Sequence, residues 1–170
     1  VMGGSLGAKA INDALPQAVA GLSSEDRPLI RHQTGRGHCE GVAQAYRQSG
    51  VEAECVEFID DVAAALAWAD LVICRAGALT VAEIACAGVA SVLIPYPYAV
   101  DDHQTGNARF LSDQGAAVLL PQSDLTPAGL TRQLSEFRRE TLANMAEKAR
   151  ARAFPDATRQ LATACAELAP

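Results

Sequence analysis

Three segments of this chain combine residue types suited to holding anions or hydroxyl groups. The first is Gly3-Gly4-Ser5-Leu6-Gly7. Glycines let backbone amides come close to a ligand, and a helix that starts just after them points its positive end at an anion. The spacing is neither the GxGxxG of a dinucleotide fingerprint nor the lysine-bearing phosphate loop, which argues against a nicotinamide-dependent oxidoreductase. Taken alone, the segment reads as a tight strand-to-helix turn in which Ser5 caps the helix. The second is Cys74-Arg75-Ala76-Gly77-Ala78-Leu79-Thr80-Val81-Ala82-Glu83, where an apolar strand passes through small residues into a helix. The free amides there make a second anion site, and Glu83 is placed to accept hydrogen bonds from a ribose diol. The same residues also fit a capping box, Thr80 and Glu83 satisfying orphan amides reciprocally. Both readings stand. The third is Asp101-Asp102-His103-Gln104, behind Pro95-Tyr96-Pro97-Tyr98. Neighbouring Asp, Asp and His rarely converge on one ion and no other His or Cys has ligand spacing, so no metal is expected. Asp101 or Asp102 is expected to cap a helix, with His103 and Gln104 facing a cleft as partners for sugar hydroxyls.

The elements that position these segments alternate between apolar strands and amphipathic helices. Helices are predicted over 8–19, 40–48, 62–68, 80–87 and 103–113, and strands over 29–33, 54–58, 71–74, 90–94 and 117–120, with two or three helices following. Helix stops fall at Gly21, Gly50 and Gly88, and Phe154-Pro155-Asp156 breaks the final pair. Such alternation implies βαβ units and a parallel sheet covered on both faces. Ligands in these sheets bind outside the carboxyl ends of the strands, where the topology reverses. The loops at that edge are 3–8, 34–38, 59–61, 75–80 and 95–103, which contain all three segments. Only Val1 and Met2 precede the glycine loop, whereas a strand takes about five or six residues. The first strand therefore reads as truncated, and the chain as a domain of a longer protein.

Composition bounds the function. With 170 residues, 49% hydrophobic and 20% charged, the chain suffices for one domain with its own core. A net charge of −6 argues against a nucleic-acid surface, which needs clustered Lys and Arg. The local basic groups Arg138-Arg139 and Lys148, Arg150 and Arg152 sit among acids and read as solvated helix faces. No apolar run is long enough to span a bilayer. Cys39, Cys55, Cys74, Cys86 and Cys165 are scattered, which suits buried or inert thiols rather than a disulfide framework.

Taken together, GGSLGA (3–8), VEFIDDVAAALAWADLVICRAGALTVAEIACAGVASVLIPYP (56–97), DDHQTGNA (101–108) and ARAFPDAT (151–158) resemble the C-terminal half of the MurG family of N-acetylglucosaminyltransferases. The resemblance covers essentially the whole chain. It implies a Rossmann-like parallel sheet with helices on both faces, the C-terminal half of a GT-B glycosyltransferase. Residues 1–154 would form the UDP-GlcNAc-binding domain, and the helix in 155–170 would pack toward an N-terminal domain. By position, Ser5 matches the serine that contacts the diphosphate, with Gly4 beside it, and Ile59 matches the residue whose backbone reads uracil. Ala78, Leu79, Thr80, Val81 and Ala82 match the stretch that binds phosphate and sugar, and Glu83 matches the acid on the ribose hydroxyls. Gln104 matches the glutamine on the GlcNAc hydroxyls, and Arg75 falls near the phosphates. His103 stands where some members carry a second glutamine, and one imidazole can still make one hydrogen bond there.

The implied reaction is inverting transfer of GlcNAc from UDP-GlcNAc to lipid I, giving lipid II and UDP, without a cofactor. The resemblance places the general base, the lipid I site and the membrane-contacting patch on the N-terminal domain, so that this chain alone would hold no catalytic residue. It implies a peripheral protein on the cytoplasmic face of the inner membrane. Another UDP-sugar-dependent GT-B transferase, an epimerase of similar fold, or a non-catalytic nucleotide-binding module remain the alternative readings of the same residues.

Overall fold

The apolar runs 71–74 and 90–93 are buried on both faces, as in a parallel sheet covered by helices on each side. The computed structural model describes residues 1–4 and 7–168, apart from the Val100 side chain. Helix α1 (Lys9–Ala20) precedes β1 (Arg31–Gln33), α2 (Cys39–Gln48) and β2 (Glu54–Val56). Next come α3 (Val62–Trp68), β3 (Leu71–Cys74), α4 (Ala78–Ala87) and β4 (Ala90–Leu93). A 3-10 turn, Val100–Asp102, leads into α5 (His103–Ser112) and β5 (Ala117–Leu119). The chain closes with α6 (Pro127–Glu136), α7 (Arg139–Ala151) and α8 (Ala157–Leu168).

β1 pairs with β2, and β3 with β4 and β4 with β5, all in parallel. Met2 joins the two groups, bridging Gln33 on one side and Cys74 on the other. Counting the Met2 position as the first strand, the order across the sheet is third, second, first, fourth, fifth, sixth. This is the doubly wound nucleotide-binding arrangement, whose order reverses between the Met2 position and β3. Toward the amino ends of β1 and β3, an apolar cavity of about 450 Å³ is lined by Val1, Leu15, Ile30, Leu71, Ile73 and Phe137.

Alternation along each strand divides the core into two layers. Val72, Cys74 and Leu93 pack with Ile84, Leu111 and Ala149 beneath α4, α5 and α7. Ile73, Val92 and Ile94 pack with Ile11, Leu15, Tyr46 and Leu130 beneath α1, α2 and α6. Helix α8 buries none of its residues and leaves Leu161 and Leu168, with Phe154 before it, exposed. No helix among the described residues is long and apolar enough to cross a membrane.

Several boundaries differ from the sequence-based expectation. β1 and β2 are shorter than 29–33 and 54–58, since Leu29 and Phe58 lie exposed outside the paired register. Helix α4 begins at Ala78, not residue 80, because Gly77 takes the extended N-cap conformation. The thiols are free but not uniformly buried: Cys74 is buried and Cys165 exposed. Burial pushes the Cys55 thiol up to about 11 and that of Cys74 up to about 12, so neither is a ready thiolate. Arg152, read from the sequence as solvated, is half-buried with its guanidinium over the Phe110 ring.

Candidate functional site

The topology reversal sets the loop that follows Met2 beside the loop that follows β3, and a helix starts from each. Among the described residues, no side chain caps the amino ends of α1 and α4, and neither helix has an acidic residue in its first turn. By contrast, Asp61 accepts from the Ala64 amide on α3 and Thr126 from the Gly129 amide on α6. Helices α2, α5 and α7 also start without a side-chain cap bond, but α2 and α7 carry Glu40 and Glu140 in their first turns and α5 follows Asp102. The first amides of a helix have no intrahelical acceptor and carry partial positive charge. Two uncapped, acid-free helix starts side by side are an arrangement that favours an extended anion.

The glycine loop is held from below. Gly7 has φ of +73°, and a side chain there would meet the Thr34 carbonyl at 2.3 Å. Its amide donates to the Gly4 carbonyl at 3.0 Å. Gln33, 7% exposed, accepts from the Gly4 amide at 3.0 Å and donates to the Gly4 carbonyl at 3.0 Å and the Glu57 carbonyl at 3.2 Å. The Glu57 carboxylate accepts from the Gly37 amide at 2.6 Å. Asn12 on α1 donates to the Thr34 carbonyl at 3.0 Å, which leaves its side-chain oxygen to accept from His32 Nε2 at 3.1 Å. His32 Nδ1 is then the bare nitrogen and accepts from the Tyr46 hydroxyl at 3.0 Å. Burial lowers the His32 pKa to about 3, so the ring is neutral.

The sequence-predicted residues fall as follows. Ser5 lies outside the described residues. Gly4 is exposed in a left-handed conformation, φ +76°. Ile59 is half-buried and lines the apolar cavity. On α4, Ala78, Leu79 and Ala82 are exposed, Val81 belongs to the core, and Thr80 and Glu83 are half-buried. The capping box is not formed: the helix starts two residues before Thr80, which is its third residue, with Glu83 its sixth. No hydrogen bond or ion pair engages Glu83 among the described residues. Arg75 points away from the helix starts, donating to the carbonyls of Ile94 and Pro95 at 3.2 Å each and to the Gln122 side chain at 2.5 Å. Its guanidinium stacks on Tyr96 with 5.4 Å to the ring centre, and burial lowers its pKa. Gln104 accepts from the Tyr96 amide at 2.9 Å, which leaves its NH₂ as the available donor. His103 is exposed as the first residue of α5.

Neither aspartate caps α5 as expected. Asp102 holds the N-cap position, but its carboxylate accepts from the Thr105 hydroxyl at 2.7 Å and makes no cap bond. Asp101 and Asp102 are both left-handed, φ 52° and 49°, which turns the backbone sharply between the Tyr96 loop and α5. No cluster of three His, Cys, Asp or Glu that could hold a metal occurs among the described residues. Sequence reasoning passed over Gln33, His32 and Asn12. The signal was present: His32-Gln33-Thr34 is a polar run in a strand buried on both faces, where each polar group needs a partner.

Comparison with known proteins places this geometry. Residues 1–161 match the glycosyltransferase family 28 C-terminal domain. The chain is 55% identical over 169 residues to the UDP-N-acetylglucosamine--N-acetylmuramyl-(pentapeptide) pyrophosphoryl-undecaprenol N-acetylglucosamine transferase of Dechloromonas aromatica, covering 99% of this chain and 48% of that protein. It is 56% identical over 171 residues to the transferase of the same name from Pseudomonas paraeruginosa, at 99% and 48% coverage. The crystal structure of Acinetobacter baumannii MurG superimposes with a TM-score of 0.91 at 46% identity, over 98% of this chain and 48% of that one. The chain thus spans about half the length of the relatives it matches. Sequence and fold agree that this chain belongs to glycosyltransferase family 28, as its C-terminal domain.

Proposed function

We propose that this chain is the donor-binding half of an inverting N-acetylglucosaminyltransferase that moves GlcNAc from UDP-GlcNAc to lipid I, forming lipid II and UDP. The observation that carries the reading is the pair of uncapped, acid-free helix starts, α1 and α4, flanking the reversal of the sheet. They supply backbone donors where a leaving diphosphate gains charge, and losing one such donor costs on the order of 3 kcal/mol in enzymes where it was removed. Glu83, free of any capping duty, accepts from the ribose hydroxyls. Gln104 donates from its NH₂ to the sugar, and Ile59 meets uracil through its backbone. Ser5 and Gly4 contribute to the diphosphate cradle, and residues 78–82 line phosphate and sugar. Arg75 acts by bracing the Tyr96 loop from beneath.

In the reaction the acceptor hydroxyl oxygen bonds to the anomeric carbon while the bond from that carbon to the diphosphate oxygen breaks. The hydroxyl proton passes to a general base, and the electron pair leaves with UDP. The base, the lipid I site and the contact with the inner membrane's cytoplasmic face are assigned to the half of the protein outside this chain. Helix α8, with Leu161 and Leu168 exposed, packs toward that half. Half a cleft forfeits the orientation that two facing domains provide, so the chain alone binds donor and transfers nothing.

Calorimetric titration with UDP, UDP-GlcNAc, UDP-glucose and NAD tests the proposal. UDP and UDP-GlcNAc should bind saturably, UDP-GlcNAc more tightly than UDP-glucose, with NAD silent. Glu83→Ala should weaken uridine nucleotides by roughly tenfold or more, the worth of a hydrogen bond to a charged group. A folded domain that ignores every uridine nucleotide, or a Glu83→Ala variant that binds UDP unchanged, would overturn it.

A further inference from the structure

We propose that Gln33 is a positioning residue that fixes Gly4, at the start of the glycine loop, relative to the turn at 57–59 in the donor-binding edge. The inference rests on the donor-site reading above and extends it to a side chain that reaches the ligand only through backbone. Gln33 sits in β1, next to the Met2 position, with its amide turned to the carboxyl edge of the sheet. Both of its N–H donors and its oxygen are engaged, twice by Gly4 and once by Glu57.

The physical consequence follows from peptide planarity. The Gly4 amide belongs to the plane before that residue and its carbonyl to the plane after it. Holding both groups with one side-chain amide fixes the two peptide planes on either side of Gly4, a residue whose φ and ψ rotate more freely than those of any other type. The third bond holds the carbonyl of Glu57, just before Phe58 and Ile59. Thr34 tightens the same edge, its amide and hydroxyl both donating to the Val56 carbonyl at 2.9 and 3.2 Å. The diphosphate end and the base end of a uridine nucleotide thus meet surfaces whose separation is set by one buried amide. No other side chain reproduces this: glutamate lacks the donors, methionine lacks both functions, and asparagine is one methylene too short.

A ligand that spans both surfaces depends on their mutual placement, whereas a ligand that touches one does not. Gln33→Met should therefore weaken UDP on the order of tenfold while changing uridine affinity by less than about threefold, as expected for lost preorganisation. Amide hydrogen exchange should speed up at Gly4 and at 57–59 and stay unchanged in β4 and β5. Gln33→Asn, which keeps polarity but cannot span the distance, should show the same shift in the UDP-to-uridine ratio and serves if the methionine variant fails to fold. A merely structural role would lower the melting temperature and leave that ratio unaltered. Wild-type binding of UDP with an unchanged ratio in the variants overturns the role of Gln33 alone. Failure of the wild-type chain to bind any uridine ligand overturns the donor-site reading and this role with it.

Discussion

Mild acid should destabilise this domain through one residue, His32, before most of its carboxylates titrate. The ring is fully buried, donates from Nε2 to Asn12 and accepts at Nδ1 from Tyr46. Burial holds its pKa near 3, against 6.5 in an unfolded chain. Between these values the unfolded chain binds a proton at His32 that the folded chain refuses. Stability is therefore fully present above pH 6.5 and falls as pH drops from 6.5 toward 3. One such proton is worth about 1.4 kcal/mol per pH unit, hence about 2 kcal/mol between pH 6.5 and 5, a large fraction of a typical domain's stability. Urea unfolding at half-unit steps from pH 8 to 5, for the wild type and for His32→Gln, isolates the His32 contribution. Glutamine can keep a donor and an acceptor in place but cannot titrate. The wild-type curve should fall more steeply than the variant's below pH 6.5. Parallel curves, or a His32 resonance titrating near pH 6.5 in the folded protein, would refute the reasoning.

Two further outcomes follow from the same edge of the sheet. Gly7→Ala places a methyl group 2.3 Å from the Thr34 carbonyl at a φ of +73°, so it should cost more than the ~1–2 kcal/mol of a left-handed alanine, read by chemical denaturation. Asp61→Ala removes the acceptor of the Ala64 amide and should cost about 1 kcal/mol, read by the same denaturation.

The alternation of apolar runs with amphipathic stretches was sufficient to read a doubly covered parallel sheet, and it located α3 and β3 to the residue. These are elements whose pattern and caps lie within a few positions of one another, as with Asp61 before α3. The edge that carries the site was legible for the same reason, since glycines and small residues between a strand and a helix mark the carboxyl ends. What remained open was whatever depends on residues far apart in the chain. Thr80 and Glu83 satisfy the pattern of a capping box equally well inside a helix, and only the conformation of Gly77 decides where α4 begins. The direction of Arg75 is set by the carbonyls of Ile94 and Pro95 and by Gln122, none of them local. Gln33 meets Gly4 across 29 positions, and His32 meets Asn12 across 20. Such bonds exist only once β1 lies beside the Met2 position and α1 has closed over the sheet. Local propensity reports on neighbours within a turn or two, whereas a buried amide or imidazole finds its partners only in the assembled fold.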